Sequence, residues 1–248
     1  DELRHVALIE HYARGNGLPV QDPQNLGFYE QEGSQPPLYY VSMAALAQLF
    51  DLSDFRQIAQ LNPHEHNIGR AAATDNQNML LPMPADNFPW RGTALFVHIA
   101  RLLGVLMGAI TVICTYCIAR NLASPSVAIV AASLVAFNPM FVFISASVNN
   151  DTLVSMLAAL ALLLATRALK NGLTSWRAML LGLVLGCAAL TKASALVPVM
   201  FSPAVLLLNQ VWAVRPITAQ TMAQVLRQRR FLGQMALCVG FILILAGW

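Results

Sequence analysis

After Asp86 the chain carries a single carboxylate, Asp151, standing between two long apolar runs. A stretch so poor in acids is not that of a water-soluble domain, in which about one residue in four is charged. Apolar runs fall at about 96–119, 126–147, 151–169, 178–196, 197–213 and 231–248. A spanning helix needs roughly 20 such residues. Composition agrees: of 248 residues, 57% are hydrophobic and 11% charged. These features predict an all-α polytopic membrane protein, with a transmembrane bundle of about five to six helices over 91–248. Pro198 and Pro203 interrupt the 178–213 stretch, which reads as one long span or two short ones.

Residues 1–90 differ in character, being polar, acidic and rich in Pro, Gln and Asn. They predict a folded, water-facing loop region of short amphipathic helices. Gly15-Asn16-Gly17-Leu18-Pro19-Val20 reads as the turn ending the first of these. Pro36-Pro37 fixes an extended segment before a helix at about 38–50. No signal peptide is visible, the first residue is not Met, and Trp248 ends the chain inside an apolar run. A fragment is therefore expected, with a helix before Asp1 and a further portion after Trp248. Cys114, Cys117, Cys187 and Cys238 all lie in apolar runs. The Cys114–Cys117 spacing there reads as helix packing rather than a redox or zinc motif, and no disulfide framework is indicated. Nothing in the chain points to nucleic acid.

Loop charges set an orientation. With residues 1–90 outside, the inward ends carry Arg120, then Arg167, Lys170 and Arg177, then Arg215, Arg227, Arg229 and Arg230; the outward ends carry chiefly Lys192. Positive loops stay cytoplasmic. The six-span reading thus places Asp1, Glu2, Asp151 and Lys192 at the outer surface, periplasmic or extracellular, of an inner or plasma membrane. If 178–213 is one span, the later orientation flips.

Several residues could carry chemistry. Asp151 reads either as a helix N-cap, where Asp suits the helix dipole, or as a functional acid at the mouth of a membrane segment. In Asp1-Glu2-Leu3-Arg4-His5, Asp1 and His5 are i,i+4 neighbours on one helix face. Such a set serves acid–base or metal chemistry, and equally caps a helix. The proline pair either packs a turn or holds Glu30, Glu32 or Gln35 against a substrate. His64-Glu65-His66 reads as a solvated loop. Arg101, like Lys192, either snorkels to the interface or pairs with a phosphate; His98 lies near it.

The order of Asp1-Glu2-x-x-His5, Gln35-Pro36-Pro37-Leu38-Tyr39-Tyr40, Arg101-Leu102-Leu103, Asn150-Asp151-Thr152-Leu153 and Leu190-Thr191-Lys192 resembles the GT-C-type integral membrane glycosyltransferases. It is most similar to the bacterial relatives of protein O-mannosyltransferases and aminoarabinose transferases. The resemblance implies a GT-C-like helix bundle and hexosyl or pentosyl transfer from a polyprenyl-phosphate sugar to a glycan, lipid or protein acceptor at the outer face. It implies Asp1, with Glu2 beside it, as the essential acid after a first span, and Asp151 as the second acid. Asp1 would be the base or orient the acceptor, and Asp151 would be its partner. Arg101 and Lys192 would hold the donor phosphate, with His5, Glu30, Gln35 and Asn150 as further substrate contacts. A divalent metal, Mg or Mn, is left open, with Asp1, Asp151 and His5 as its ligands if present. The chain departs from relatives at Ser34-Gln35, where a basic residue or His often precedes the prolines.

Two other readings compete. A transporter would show helices broken near mid-membrane and charges along a central path. A non-catalytic GT-C-like scaffold subunit would keep the motifs without turnover.

Overall fold

The computed structural model describes residues 1–248 except 21, 23, 25–26, 64–77, 214–217, 219, 221–223, 225–227 and 247–248. His64-Glu65-His66, Arg215 and Arg227 lie outside the described residues. The described residues are helical, with one isolated β-bridge between Leu61 and Leu80, and they divide into two compact units.

The first unit comprises Asp1–Ser34 and Tyr40–Leu102. Helix α1 spans Glu2–Ala13, and its buried residues include His5, Val6, Leu8 and Ile9. Gly15 and Gly17 adopt φ of +76° and +73°, which lets the chain leave the helix as the Gly-Asn-Gly pattern requires. A 3-10 turn follows at Glu30–Ser34, and helix α2 spans Leu38–Ala47 directly after the proline pair. Short helix α3, Phe55–Ile58, begins beside Asp54. Asp54 also caps helix α4, Gly92–Leu122, from a distance. Its Oδ1 accepts from the Thr93 amide at 3.0 Å and from the Thr93 hydroxyl at 2.5 Å. Gly92 is required there: at φ +50°, any Cβ would stand 2.5 Å from Asp54 Oδ2. A carboxylate at a helix N-terminus is favoured by the dipole and satisfies otherwise unpaired amides.

The second unit comprises Gln35–Tyr39 and Leu103–Trp248. Helices α5, Pro125–Ala136, and α6, Pro139–Ser145, are bent by 63° relative to each other. The expected single run at 126–147 is therefore two helices. The cause is local: Pro139 cannot donate to the preceding turn, and Asn138 Oδ1 instead accepts from the Met140 and Phe141 amides at 3.0 and 3.2 Å. Small residues seat α6, since a Cβ at Gly104 would stand 2.7 Å from the Ser145 carbonyl oxygen.

Helix α7 spans Asp151–Asn171, α8 spans Ser175–Ala189, α9 spans Leu196–Ala213 and α10 spans Arg229–Ala246. The 178–213 stretch is thus two helices, but the break does not fall at the prolines. It lies at Leu190–Ala195, where a 3-10 turn follows Lys192; Pro198 and Pro203 sit within α9. In its first turn a proline loses no intrahelical bond, which accounts for Pro198. Helix α8, at 15 residues, is shorter than a full span. A core of Ala161, Ala178, Leu181, Leu185, Phe231 and Cys238 joins α7, α8 and α10. Helices α8 and α10 touch at backbone distance: a Cβ at Gly182 would overlap the Cys238 carbonyl oxygen. Close approach through small residues is how helices associate where lipid offers no hydrophobic driving force. Gln234, buried in α10, donates to the Leu173 carbonyl at 2.9 Å and accepts from Gln210 at 3.3 Å.

Among the described residues, α4, α7 and α10 are long and apolar enough to cross a membrane, and the bent α5–α6 pair makes a fourth span if counted as one. Only 17% of the most apolar window of α4 is buried, and Ile113, Leu134 and Phe137 are exposed. Apolar surface left open on that scale faces lipid. The protein is an all-α integral membrane protein.

Candidate functional site

In the first unit, helix α1 presents its opening residues to three partners. The Glu2 carboxylate is gripped by Arg101 of α4 in a two-bond fork, Nε to Oε1 at 2.9 Å and Nη2 to Oε2 at 2.5 Å. Charge-assisted forks of this kind fix geometry as well as charge. Asp1 is exposed, with Oδ1 3.7 Å from Arg4 and Oδ2 3.8 Å from His5 Nε2. Arg4 also holds Glu30, Nε to Oε2 at 2.7 Å. Glu30 adopts φ +43°, a conformation side chains beyond Gly rarely take. Behind this row, His5 Nδ1 lies 2.9 Å from the Tyr40 hydroxyl, which donates to Glu32 Oε2 at 3.2 Å. His5, Tyr40 and Glu32 are all buried.

Asp1, Glu2 and Arg101 border a cavity of about 370 Å³. Its walls are mainly apolar and include Val6, Phe55 and Val97, with Asp86 and His98 adding polar groups. The His98 ring stacks on Trp90 with centroids 3.7 Å apart. Apolar walls with a few convergent polar groups are the usual form of a small-ligand site.

In the second unit, Asp151 begins α7 but does not cap it. The N-cap residue is Asn150, and Asn149 Oδ1 accepts from the Thr152 amide at 3.2 Å. The Asp151 carboxylate instead meets Lys192, Nζ to Oδ1 at 2.7 Å. Asn150 is fully buried and donates to the Thr191 carbonyl at 3.3 Å and to Gln35 at 3.5 Å. The Leu38 amide donates to the Leu190 carbonyl at 3.0 Å, so the segment after the proline pair is tied to the turn that carries Lys192.

The structure therefore brings Asp1, Glu2, His5, Glu30 and Arg101 into one unit, and Gln35, Asn150, Asp151 and Lys192 into the other. Each cation expected to hold a phosphate is already paired with an expected catalytic acid. Sequence reasoning missed three participants: Tyr40, Arg4 and Asp54. Tyr40 had a signal, as a polar aromatic at the start of an apolar helix, but its partners stand 8 and 35 positions away.

Apolar helices, lipid-facing surface and paired charges at helix ends define a membrane protein with chemistry-bearing side chains. The chain matches a sequence family described as dolichyl-phosphate-mannose-protein mannosyltransferase over residues 93–227. It belongs to that family, and is a GT-C-type membrane glycosyltransferase. The matched segment contains Arg101, Asn150, Asp151 and Lys192, and begins after Asp1, Glu2 and His5. No curated protein and no solved structure matches the chain.

Proposed function

We propose that the protein transfers a sugar from a polyprenyl-phosphate donor to a hydroxyl acceptor at the outer face of the membrane. The observation that carries this reading is the pairing of acids with cations at both sets: Glu2 with Arg101 beside an exposed Asp1, and Asp151 with Lys192 at the start of α7. Transfer from a lipid phosphate needs a base for the acceptor proton and positive charge for the departing phosphate.

In this reading Asp1 takes the acceptor proton. The acceptor oxygen bonds to the anomeric carbon as the bond from that carbon to the phosphate oxygen breaks. The phosphate departs with the electron pair, and its growing charge calls for a cation. In the second unit Lys192 has three donors and gives one to Asp151, so Asp151 holds the ammonium in place while leaving donors for a phosphate. Arg101, committed to Glu2 by its fork, serves to fix Glu2 and the opening of α1. The cavity beside Asp1 and Glu2 receives the acceptor: with Asp1, Glu2 and Asp86 against Arg101, its charge disfavours a phosphate.

Among the described residues, the α5–α6 bend is a feature a transporter would share. No charged residue stands between Arg120 and Asp151, so the broken segment offers no ionisable path, and the transferase reading is favoured.

The test uses the full-length protein in membranes with labelled polyprenyl-phosphate sugars of several hexoses and pentoses. Loss of label from the lipid should be seen with one donor and should vanish in Asp1→Asn and Asp151→Asn at unchanged protein level. Turnover indifferent to both substitutions, or none with any donor, would refute the proposal.

A further inference from the structure

The first turns of α4 put one face of that helix on the cavity. Ala94, Val97, His98 and Arg101 all line it, at the i, i+3, i+4 and i+7 spacing of a single helix face. Of these, His98 is held in one pose. Its Nδ1 lies 2.8 Å from the Ala94 carbonyl oxygen. A carbonyl only accepts, so Nδ1 carries the ring proton, and in the uncharged ring the lone pair is on Nε2. One face of the ring is covered by Trp90, with the two planes 16° apart. The backbone bond and the stack together fix the ring, and Nε2 has no partner among the described residues.

The carboxylates around the cavity have the same sense. Asp1 and Asp86 line it and only accept; Asp86 already takes the Met83 amide on Oδ2 at 3.0 Å. Arg101 and Thr93, which donate, do so to Glu2 and to Asp54. A ligand at this end therefore brings the protons: O–H and N–H groups suit it, whereas a carbonyl, an ether or an anion does not. The rest of the wall, with Leu3, Val6, Ile58, Met79 and Val97, offers no hydrogen bond. A hydroxyl buried against it would give up its bonds to water without return. The shape of ligand that fits is a donor-bearing head on an apolar body.

We propose that His98 selects the acceptor: its Nε2 takes a hydrogen bond from an O–H or N–H group next to the reacting hydroxyl, whose own proton goes to Asp1. The class of acceptor that follows is a diol or amino alcohol carried on an apolar body. An analogue without the second donor leaves Nε2 desolvated and unpaired, which is how a site built for a hydrogen bond discriminates. Trp90 is a positioning residue that holds the ring plane. That the ligand is the acceptor rests on the transfer reading above; its binding at Nε2 does not.

The experiment uses the purified full-length protein in lipid nanodiscs with ring-¹⁵N histidine, solid-state NMR detection and 1,2-hexanediol as the probe. The resonances of His98 are those lost in His98→Leu and in His98→Gln alike, so either variant suffices to assign them. They should show an Nδ1-protonated ring. The diol should shift Nε2 saturably, whereas 1,2-dimethoxyhexane, which keeps the apolar body and lacks the donors, should not. Trp90→Leu should weaken diol binding about five-fold, as loss of one hydrogen bond does, and Trp90→Phe, which keeps a stacking ring, should not. In turnover with the diol as acceptor, His98→Leu should raise the acceptor KM about ten-fold at roughly unchanged kcat, and His98→Gln, whose Oε1 accepts, should recover part of the loss. An Nε2-protonated ring, no saturable shift, or an equal shift with the diether would overturn the site. Tautomer and shift are read on the wild type, so they do not depend on how well a variant works. Diol binding at His98 without sugar transfer would refute the transfer reading alone; transfer without a diol shift at His98 would refute the site alone.

Discussion

The Glu2–Arg101 fork invites a quantitative test, because it joins positions 99 residues apart with both its bonds defined. Its side chains are 39% exposed for Arg101 and 26% for Glu2, between two known regimes. Fully exposed pairs couple by about 0.2–1 kcal/mol, and removing one partner of a fully buried pair costs about 3–5 kcal/mol. Two charge-assisted bonds, discounted for solvent at Arg101, give a coupling of about 1.5 kcal/mol. The perturbation is a double-mutant cycle of Glu2→Gln, Arg101→Met and both together. Unfolding in nanodiscs, followed by denaturant or by a steric trap, gives stability, and donor turnover is read on the same preparations. Coupling of this size corresponds to roughly ten-fold in the unfolding equilibrium. Arg101→Lys, which keeps the charge but loses the fork, should recover less than half of it. Additive effects, within about 0.3 kcal/mol, would show that the fork does not tie α4 to the start of α1.

Further outcomes follow from other contacts. Gly182→Ala should destabilise by about 1–3 kcal/mol, because its Cβ meets the Cys238 backbone, whereas Gly240→Ala, with nothing within 4 Å, should be neutral or gain up to about 1 kcal/mol from helix propensity; equal thermal stability of the two would contradict the α8–α10 contact. Asp54→Ala should cost about 1–2 kcal/mol by uncapping α4, and an unchanged unfolding midpoint would count against that capping role. Lys192→Met should change stability by less than about 1 kcal/mol, since its partner Asp151 is 42% exposed, yet should lower donor turnover at least ten-fold; full turnover would remove Lys192 from the phosphate role. Asn138→Ala should cost about 0.5–2 kcal/mol through two lost amide bonds, measured by the same unfolding assay.

The sequence was informative where the physics is local. Hydropathy located α4, α7 and α10 because a run of apolar residues needs no partner to be recognised. It treated 126–147 as one span because averaging over a window hides Asn138-Pro139, although that pair is itself a helix start signal. The break near Lys192 was misplaced to Pro198 and Pro203 for a related reason: proline disrupts a helix interior but is accepted in the first turn. The i,i+4 relation of Asp1 and His5 was readable from spacing, Asp151 stood out as the single carboxylate after Asp86, and the resemblance to a known family added roles for it and for Lys192. Their pairing across 41 residues and the grip of Arg101 on Glu2 could not be read, because they follow from how helices pack. The same holds for Tyr40, whose hydroxyl found its partners only once α1 lay against α2.

Gln234 bears on how this protein is assembled in time. A lone amide in a helix that is otherwise apolar beyond Arg229 and Arg230 is a poor passenger in hydrocarbon until its donors and acceptor are met. Its two partners, the Leu173 carbonyl and Gln210, both precede α10 in the chain. The last described helix therefore gains its full welcome in the bilayer only after α7 through α9 are waiting there. The amide then acts as a key, selecting one rotational setting for a helix whose greasy surface would otherwise let it turn freely.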